Sequence, residues 1–331
     1  MINGRICYNK FGVYYKKIDR ESAWDMLSKK KRRMLASALV VGTFFTTLLV
    51  GCSKEKKVDT KPEAKGFQWE VKKDDKSMYL IGTMHPINTE YEYFSSVVNN
   101  IVENTNVLAV EINPSQDEIL KANADGVYTG TKSVEDELSD KQIESLKSIC
   151  KEIEVDYEKL KVLKPHIIVN NLQAVLYNKA DLTMDTFDNM LIEKSLKDTK
   201  KVIQLETMDF QMDLLDKVNG INALKQLLDE HKEGKFVESG KDIIDYSKGL
   251  MEGYAKGDTT VMEEAIKTQK TNPESYDLMI KDRNENMVKK MEEYFKEDKT
   301  YTIAVGALHF FGDDGIVKMM EDKGYTVSKM E

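Results

Sequence analysis

Two apolar runs in this chain end in the same pattern, Gly82-Thr83-Met84-His85 and Gly306-Ala307-Leu308-His309, and these hold two of its four histidines. Each run is β-prone, from Tyr79 to Ile81 and from Thr302 to Val305. Two further β-prone runs end on carboxylates, Val107 to Val110 before Glu111 and Val202 to Leu205 before Glu206. Groups just beyond the carboxyl ends of strands in an α/β sheet face the crevice where ligands bind, so these four side chains can converge on one site. Two neutral imidazoles with one or two carboxylates suit a divalent transition metal such as zinc, manganese or cobalt. An ion held with one position open makes water a nucleophile near neutral pH, and a carboxylate not spent as a ligand can serve as general base. The expected ligands are His85, His309 and one of Glu111 or Glu206, with Glu111 first.

Arg283 belongs with this set. It is the only arginine after residue 51 of a chain that otherwise uses lysine for positive charge. It falls on the stripe made by Tyr276, Met279, Ile280, Met287 and Met291, so its guanidinium turns inward. An unpaired inward charge is too costly to survive, and the planar fork suits a carboxylate of Glu111, Glu206 or a substrate. Arg283 and its neighbour Asn284 are therefore expected to orient substrate or to bind a developing oxyanion. His231 reads as a residue on a solvated helix face and His166 as a structural residue at a helix start. Asp313 and Asp314 read as caps for a helix beginning near Ile316. The chain has neither a phosphate-binding glycine loop nor a His-Glu-x-x-His helix.

The elements that would position these groups can be read in order. Phe67 to Val71 alternates, Lys72 to Lys76 is a charged turn, and Met78 to Thr83 returns as a strand. After Pro86 a helical pattern runs to about Glu103, and Val107 to Val110 is a buried strand. Helical periodicity, including Ile143, Leu146, Ile149 and Cys150 on one face, fills Ser115 to about Lys200 as an insertion or cap, with Pro165 opening a helix within it. Strand character returns over Lys201 to Thr207, helices continue to about Asp298, and a final strand covers Tyr325 to Lys329. This order predicts an α/β fold with a central mixed sheet.

Composition adds an address. Lys29 to Arg33 is basic, Met34 to Val50 is uncharged and apolar, and Gly51-Cys52 follows, the order of a lipoprotein signal in which Cys52 receives a lipid and becomes the new N-terminus. Either Met1 or Met26 can open that signal. The expected organisation is a signal peptide over 1–51, a lipidated Cys52 with a flexible Lys-, Glu- and Pro-rich tether to residue 66, and one domain over 67–331. Residues 1–51 carry ten Lys/Arg and three Asp/Glu, so the remainder keeps 49 − 10 = 39 basic and 57 − 3 = 54 acidic residues, a formal charge of −15. Nucleic acid is thereby an unsuitable partner. The membrane, reached through the lipid on its extracytoplasmic face, is the expected one. Cys150 is the only cysteine after Cys52, so no disulfide framework forms.

These pieces together resemble the TraB/GumN family, which includes the Tiki metalloproteases and the bacterial pheromone-shutdown proteins. The matching segments are Gly82 to His85, Val110-Glu111, Leu205-Glu206-Thr207 with Gln211, Arg283-Asn284, and Gly306 to His309 followed by Gly312-Asp313-Asp314-Gly315. They run in the family's order from Phe67 to the C-terminus. The resemblance implies a fold related to erythromycin-esterase and ChaN-like proteins, with both Gly-x-x-His motifs and the glutamate at the active site, and metal-dependent hydrolysis of a peptide or protein substrate. The family often has a tryptophan where this chain has His166. Non-catalytic sequestration of a peptide signal or a tetrapyrrole in the same crevice, and metal-free His/Glu hydrolysis, compete with that reading.

The lipid anchor can be checked directly. Cys52→Ala is expected to abolish incorporation of radiolabelled fatty acid; equal labelling of mutant and wild type would remove the anchor from the account.

Overall fold

The computed structural model describes residues 61–331, so the expected signal segment and Cys52 lie outside the described residues. Strand β1 covers Phe67–Lys73, with Phe67, Trp69 and Val71 buried and Lys72 and Lys73 exposed. Asp74, at φ 55°, turns the chain into β2, Lys76–Thr83, a left-handed position that aspartate tolerates. Beyond Pro86 the predicted helix starts late. Helix α1 covers only Ser96–Asn104, capped by the Ser95 hydroxyl accepting from Val98 N–H. Ahead of it, Asn88 N–H donates to the Tyr93 hydroxyl, Glu90 N–H to the Asn88 side chain and Phe94 N–H to Glu92. These local bonds offer the backbone an alternative to helix, which is why apolar spacing alone misplaces the boundary.

Strand β3, Val107–Val110, is buried throughout. Helices α2 (Gln116–Asp125), α3 (Asp140–Ile153), α4 (Pro165–Lys179) and α5 (Phe187–Lys197) separate it from β4, Lys201–Gln204. The predicted last residue of that strand, Thr207, instead accepts from Phe210 N–H as the cap of α6, Met208–Asn219. There follow α7 (Ile221–Glu230), α8 (Lys241–Lys256) and α9 (Thr259–Gln269), then a π-helical turn over Asp277–Lys281 leading into α10, Asp282–Tyr294. Strand β5, Tyr301–Gly306, stops at the glycine, and the second motif's histidine lies on a 3-10 turn, Ala307–Phe310, rather than on the strand. Helix α11 (Ile316–Asp322) and β6 (Thr326–Lys329) close the chain.

Among the described residues the six strands form one mixed sheet in the order β4-β3-β5-β2-β1-β6. β4, β3, β5 and β2 are mutually parallel, while β1 runs antiparallel to both β2 and β6. The parallel strands therefore expose their carboxyl ends on one edge. Thr83 pairs with Gly306 there, and Val110 pairs with both Ala304 and Gln204. The sheet core, with Leu80, Ile81, Ala109 and Ile303 at 0–1% exposure or less, is distinct from a second apolar cluster around Leu146, Ile149, Ile168 and Leu224. That second cluster makes the helical cap, and α7 joins it from beyond β4, so the cap draws on more chain than the predicted insertion. Cys150 is a buried free cysteine within it.

Two minor expectations change and a third holds. Asp313 and Asp314 do not cap α11, whose cap is Gly315 without a side-chain bond; Asp314 instead accepts from the Tyr276 hydroxyl and pairs with Lys270. His231 sits at the half-buried end of α7, its Nε2 3.3 Å from Ser148 Oγ, because α7 packs on α3 and draws that end inward. His166 is buried with Nδ1 2.9 Å from Asp216, as a structural residue should be.

One bond ties the cap to the site-bearing edge. Tyr254 of α8 is 1% exposed and its hydroxyl donates to the Gly82 carbonyl at 2.6 Å. Tyr254→Phe keeps the ring packing and deletes this bond, so urea unfolding is expected to show a loss of about 1–2 kcal/mol with an unchanged m-value.

Candidate functional site

The strand ends deliver their side chains to one small region. Glu111 follows β3, and its Oε1 accepts the Gly306 backbone N–H at 2.7 Å. Gly306 is glycine for a reason: a Cβ there would lie 3.2 Å from Glu111 Oε1 and 3.7 Å from His309 Cδ2. Gly82 does the same for the backbone, since its Cβ would meet Ala307 Cα at 3.1 Å. Both motif glycines thus allow the two histidine-bearing loops to approach closely.

Arg283 enters from α10 and is 2% exposed. Its Nη2 donates to Glu111 Oε2 at 2.6 Å, while Nε and Nη2 grip Glu206 side-on, at 2.8 Å each. Nη1 donates to the Met279 carbonyl in the π-turn at 3.1 Å. Gln211, the neighbour singled out in the sequence, donates to Glu206 Oε2 at 2.7 Å. Of the pairings open to Arg283, the structure shows those with Glu111 and Glu206. Arg283 spends its fork on the protein's own carboxylates, and Asn284 is wholly buried behind His309.

Asn284 fixes the state of His309. Its Nδ2 donates to two backbone carbonyls, His309 O at 3.0 Å and Asp314 O at 2.6 Å, so its oxygen must be the atom facing His309 Nδ1 at 2.6 Å. An amide oxygen only accepts, so Nδ1 carries the proton and Nε2 is left with a lone pair. That lone pair lies 3.6 Å from Glu111 Oε1. Burial and the Arg283 charge push the His309 pKa down to about 3 against the pull of Glu111, so the ring stays neutral. Burial would raise the Glu111 pKa, but Arg283, the two histidines and the Gly306 N–H hold it well below the usual carboxylate range.

His85 is driven the other way. Burial would lower its pKa, yet the carboxylate of Asp188, near the start of α5, raises it to about 9, with help from Glu111. His85 Nε2 and Asp188 Oδ2 are 2.8 Å apart. Neither atom makes an aligned hydrogen bond, so the contact is a close ion pair. Thr83 Oγ1 holds the other Asp188 oxygen at 2.9 Å. Asp188 is the site residue that sequence reasoning missed. In sequence it is an ordinary acid in the first turn of a helix, and nothing in its spacing marks it out.

His85, Glu111 and His309 line one cavity of about 70 Å³, closed by Thr83 and Gly306 and by apolar groups such as Met251 and Met262. Glu206 and Arg283 lie beneath it. The expected metal set does not fit as it stands. Both Glu111 oxygens are engaged, His85 is paired as a cation with Asp188, and no group of three His, Cys, Asp or Glu side chains among the described residues is arranged to hold an ion.

A mixed sheet whose parallel strands bring two histidines and two glutamates to one crevice, beneath a helical cap, defines an α/β protein with an edge-of-sheet site. The sequence profile of the TraB/PrgY/gumN family matches residues 67–329, and the chain belongs to that family. Set beside curated proteins and solved structures it gives no match, so the likeness to erythromycin-esterase and ChaN-like folds rests on the sequence resemblance.

Arg283→Lys keeps the charge but supplies one ammonium where Glu111 and Glu206 together require a fork. The variant is expected to lose roughly 1.5–3 kcal/mol of stability in denaturant titration, the scale of a hydrogen bond to a charged group. Wild-type stability would show that the fork is dispensable.

Proposed function

We propose that this protein is a lipid-anchored, extracytoplasmic hydrolase of peptides, working by acid–base chemistry between its two motif histidines. The observation that carries the reading is their opposed protonation in one cavity, His85 cationic and His309 neutral with Nε2 bare. Titratable groups pushed apart in this way are suited to separate acid and base roles. A water between His309 Nε2 and Glu111 Oε1, which are 3.6 Å apart, can donate to both acceptors. Its oxygen then attacks the carbonyl carbon as a proton passes to that pair. His85 gives its proton to the leaving nitrogen as the C–N bond breaks, and Asp188 stabilises the imidazolium until then. The order of basic, apolar and Gly-Cys segments supports the anchor at Cys52, and family membership supports the peptide substrate.

A metal-dependent version has its own support. His309 Nε2 and Glu111 stay deprotonated side by side, as ligands must. A manganese, cobalt or zinc ion recruiting them would take His85 only after it lost its proton and left Asp188. Chemically, such an ion would polarise the carbonyl and acidify water. Sequestration of a tetrapyrrole is disfavoured by size, because the enclosed space measures about 70 Å³ and about 150 Å³ is what a benzene ring occupies.

Peptide cleavage by the purified chain, with and without chelator and across pH, separates these readings. His309→Ala is expected to lower turnover by about a hundredfold or more, the usual worth of a positioned acid or base. Wild-type turnover in that variant would overturn the hydrolytic centre, and chelator sensitivity restored by one added metal would select the metal-dependent version.

The pH profile carries a second expectation. His85 is active as an acid only while protonated, so activity should fall as pH rises through about 9. Asp188→Asn removes the charge that raises this pKa and should move the alkaline limb to lower pH. An unmoved limb would detach His85 from it.

A further inference from the structure

The helical cap bounds a second, half-open cavity, of about 350 Å³, remote from the residues of the strand edge. Its walls are apolar, formed by Val169, Leu172 and Leu176 of α4, Leu227 of α7, and Phe236 and Ile243. A half-open concavity of this size, with an apolar body and polar groups gathered on its wall, is the form of a small-molecule site. The cavity is tied to built structure. Gln173 in its wall donates to the Tyr177 hydroxyl at 2.9 Å, which is 3.0 Å from Ser247, a residue lining the cavity of His85 and His309.

Polar groups gather at one end, where α7 stops and Glu230, His231 and Lys232 follow one another. Glu230 accepts from Gln226 at 3.2 Å, and His231 is held by Ser148. Lys232, by contrast, is exposed, and among the described residues its charge acts on Glu238 without a close ion pair. An apolar cleft with an exposed ammonium at its polar end is complementary to an apolar chain ending in a carboxylate. A cavity of about 150 Å³ takes the six carbons of benzene, so this one takes about a dozen heavy atoms.

We propose that the cap cavity is a binding site for a single-chain carboxylic acid of about ten carbons, its tail among the α4 and α7 side chains and its head at Lys232. This inference is independent of the hydrolytic reading. Isothermal titration of decanoate into the purified full chain at pH 7.5 tests it. Saturable one-to-one binding is expected, weakened about tenfold by Lys232→Gln, the scale of a lost charge-assisted bond. Ala223→Phe, which fills the cavity from α7, should abolish binding, and decanol should bind more weakly than decanoate. Absence of saturable binding overturns the proposal, as does decanol binding as tightly as decanoate. If Ala223→Phe does not fold, the exposed Lys232→Gln decides alone: unchanged decanoate affinity in it overturns the proposal.

Discussion

A single guanidinium buried between two carboxylates organises this protein. Arg283 joins the ends of β3 and β4, already paired as strands, to helix α10, whose Lys290 adds a bond to the Leu205 carbonyl. Such a burial is not stabilising by default, since taking three charges out of water costs as much as their attraction returns. What it supplies is position. Each oxygen of Glu111 and Glu206 has a donor, so the two strand ends have one arrangement that satisfies them, and the loops carrying the histidines are built against it.

The same charges set the chemistry above them. Asp188, with a smaller contribution from Glu111, favours a proton on His85, while burial and the Arg283 charge oppose one on His309. Two histidines in matched sequence motifs thus reach opposite states because their second neighbours differ, Asp188 for one and Asn284 for the other. An amide cannot take a proton and a carboxylate can hold a cation, and the difference between these two side chains is sufficient to separate the roles.

Much of this was legible in the chain. The strand runs, the carboxylates at their exits and the inward turn of Arg283 followed from periodicity and from the scarcity of arginine, and His85, Glu111 and His309 do line one cavity. What the pattern did not reveal was direction. Nothing in the spacing of Asn284 tells that its amide faces a histidine rather than substrate, nor that Asp188 of α5 reaches His85, because both depend on packing between distant segments. The late start of α1 was hidden for a local reason, namely side chains competing for backbone groups that periodicity counts as available.

The place of β5 in the sheet has a temporal side. It is the fifth strand in sequence, yet it lies between β3 and β2, and it is the register partner of both. Until it is made, the two earlier strands have no shared neighbour, Glu111 lacks the Gly306 N–H, and His309 does not yet exist. Long-range parallel pairings of this kind form late because the loop that joins them must first be closed. A chain still emerging from a ribosome has therefore not yet gathered these side chains, and the candidate site and the finished sheet appear in the same event.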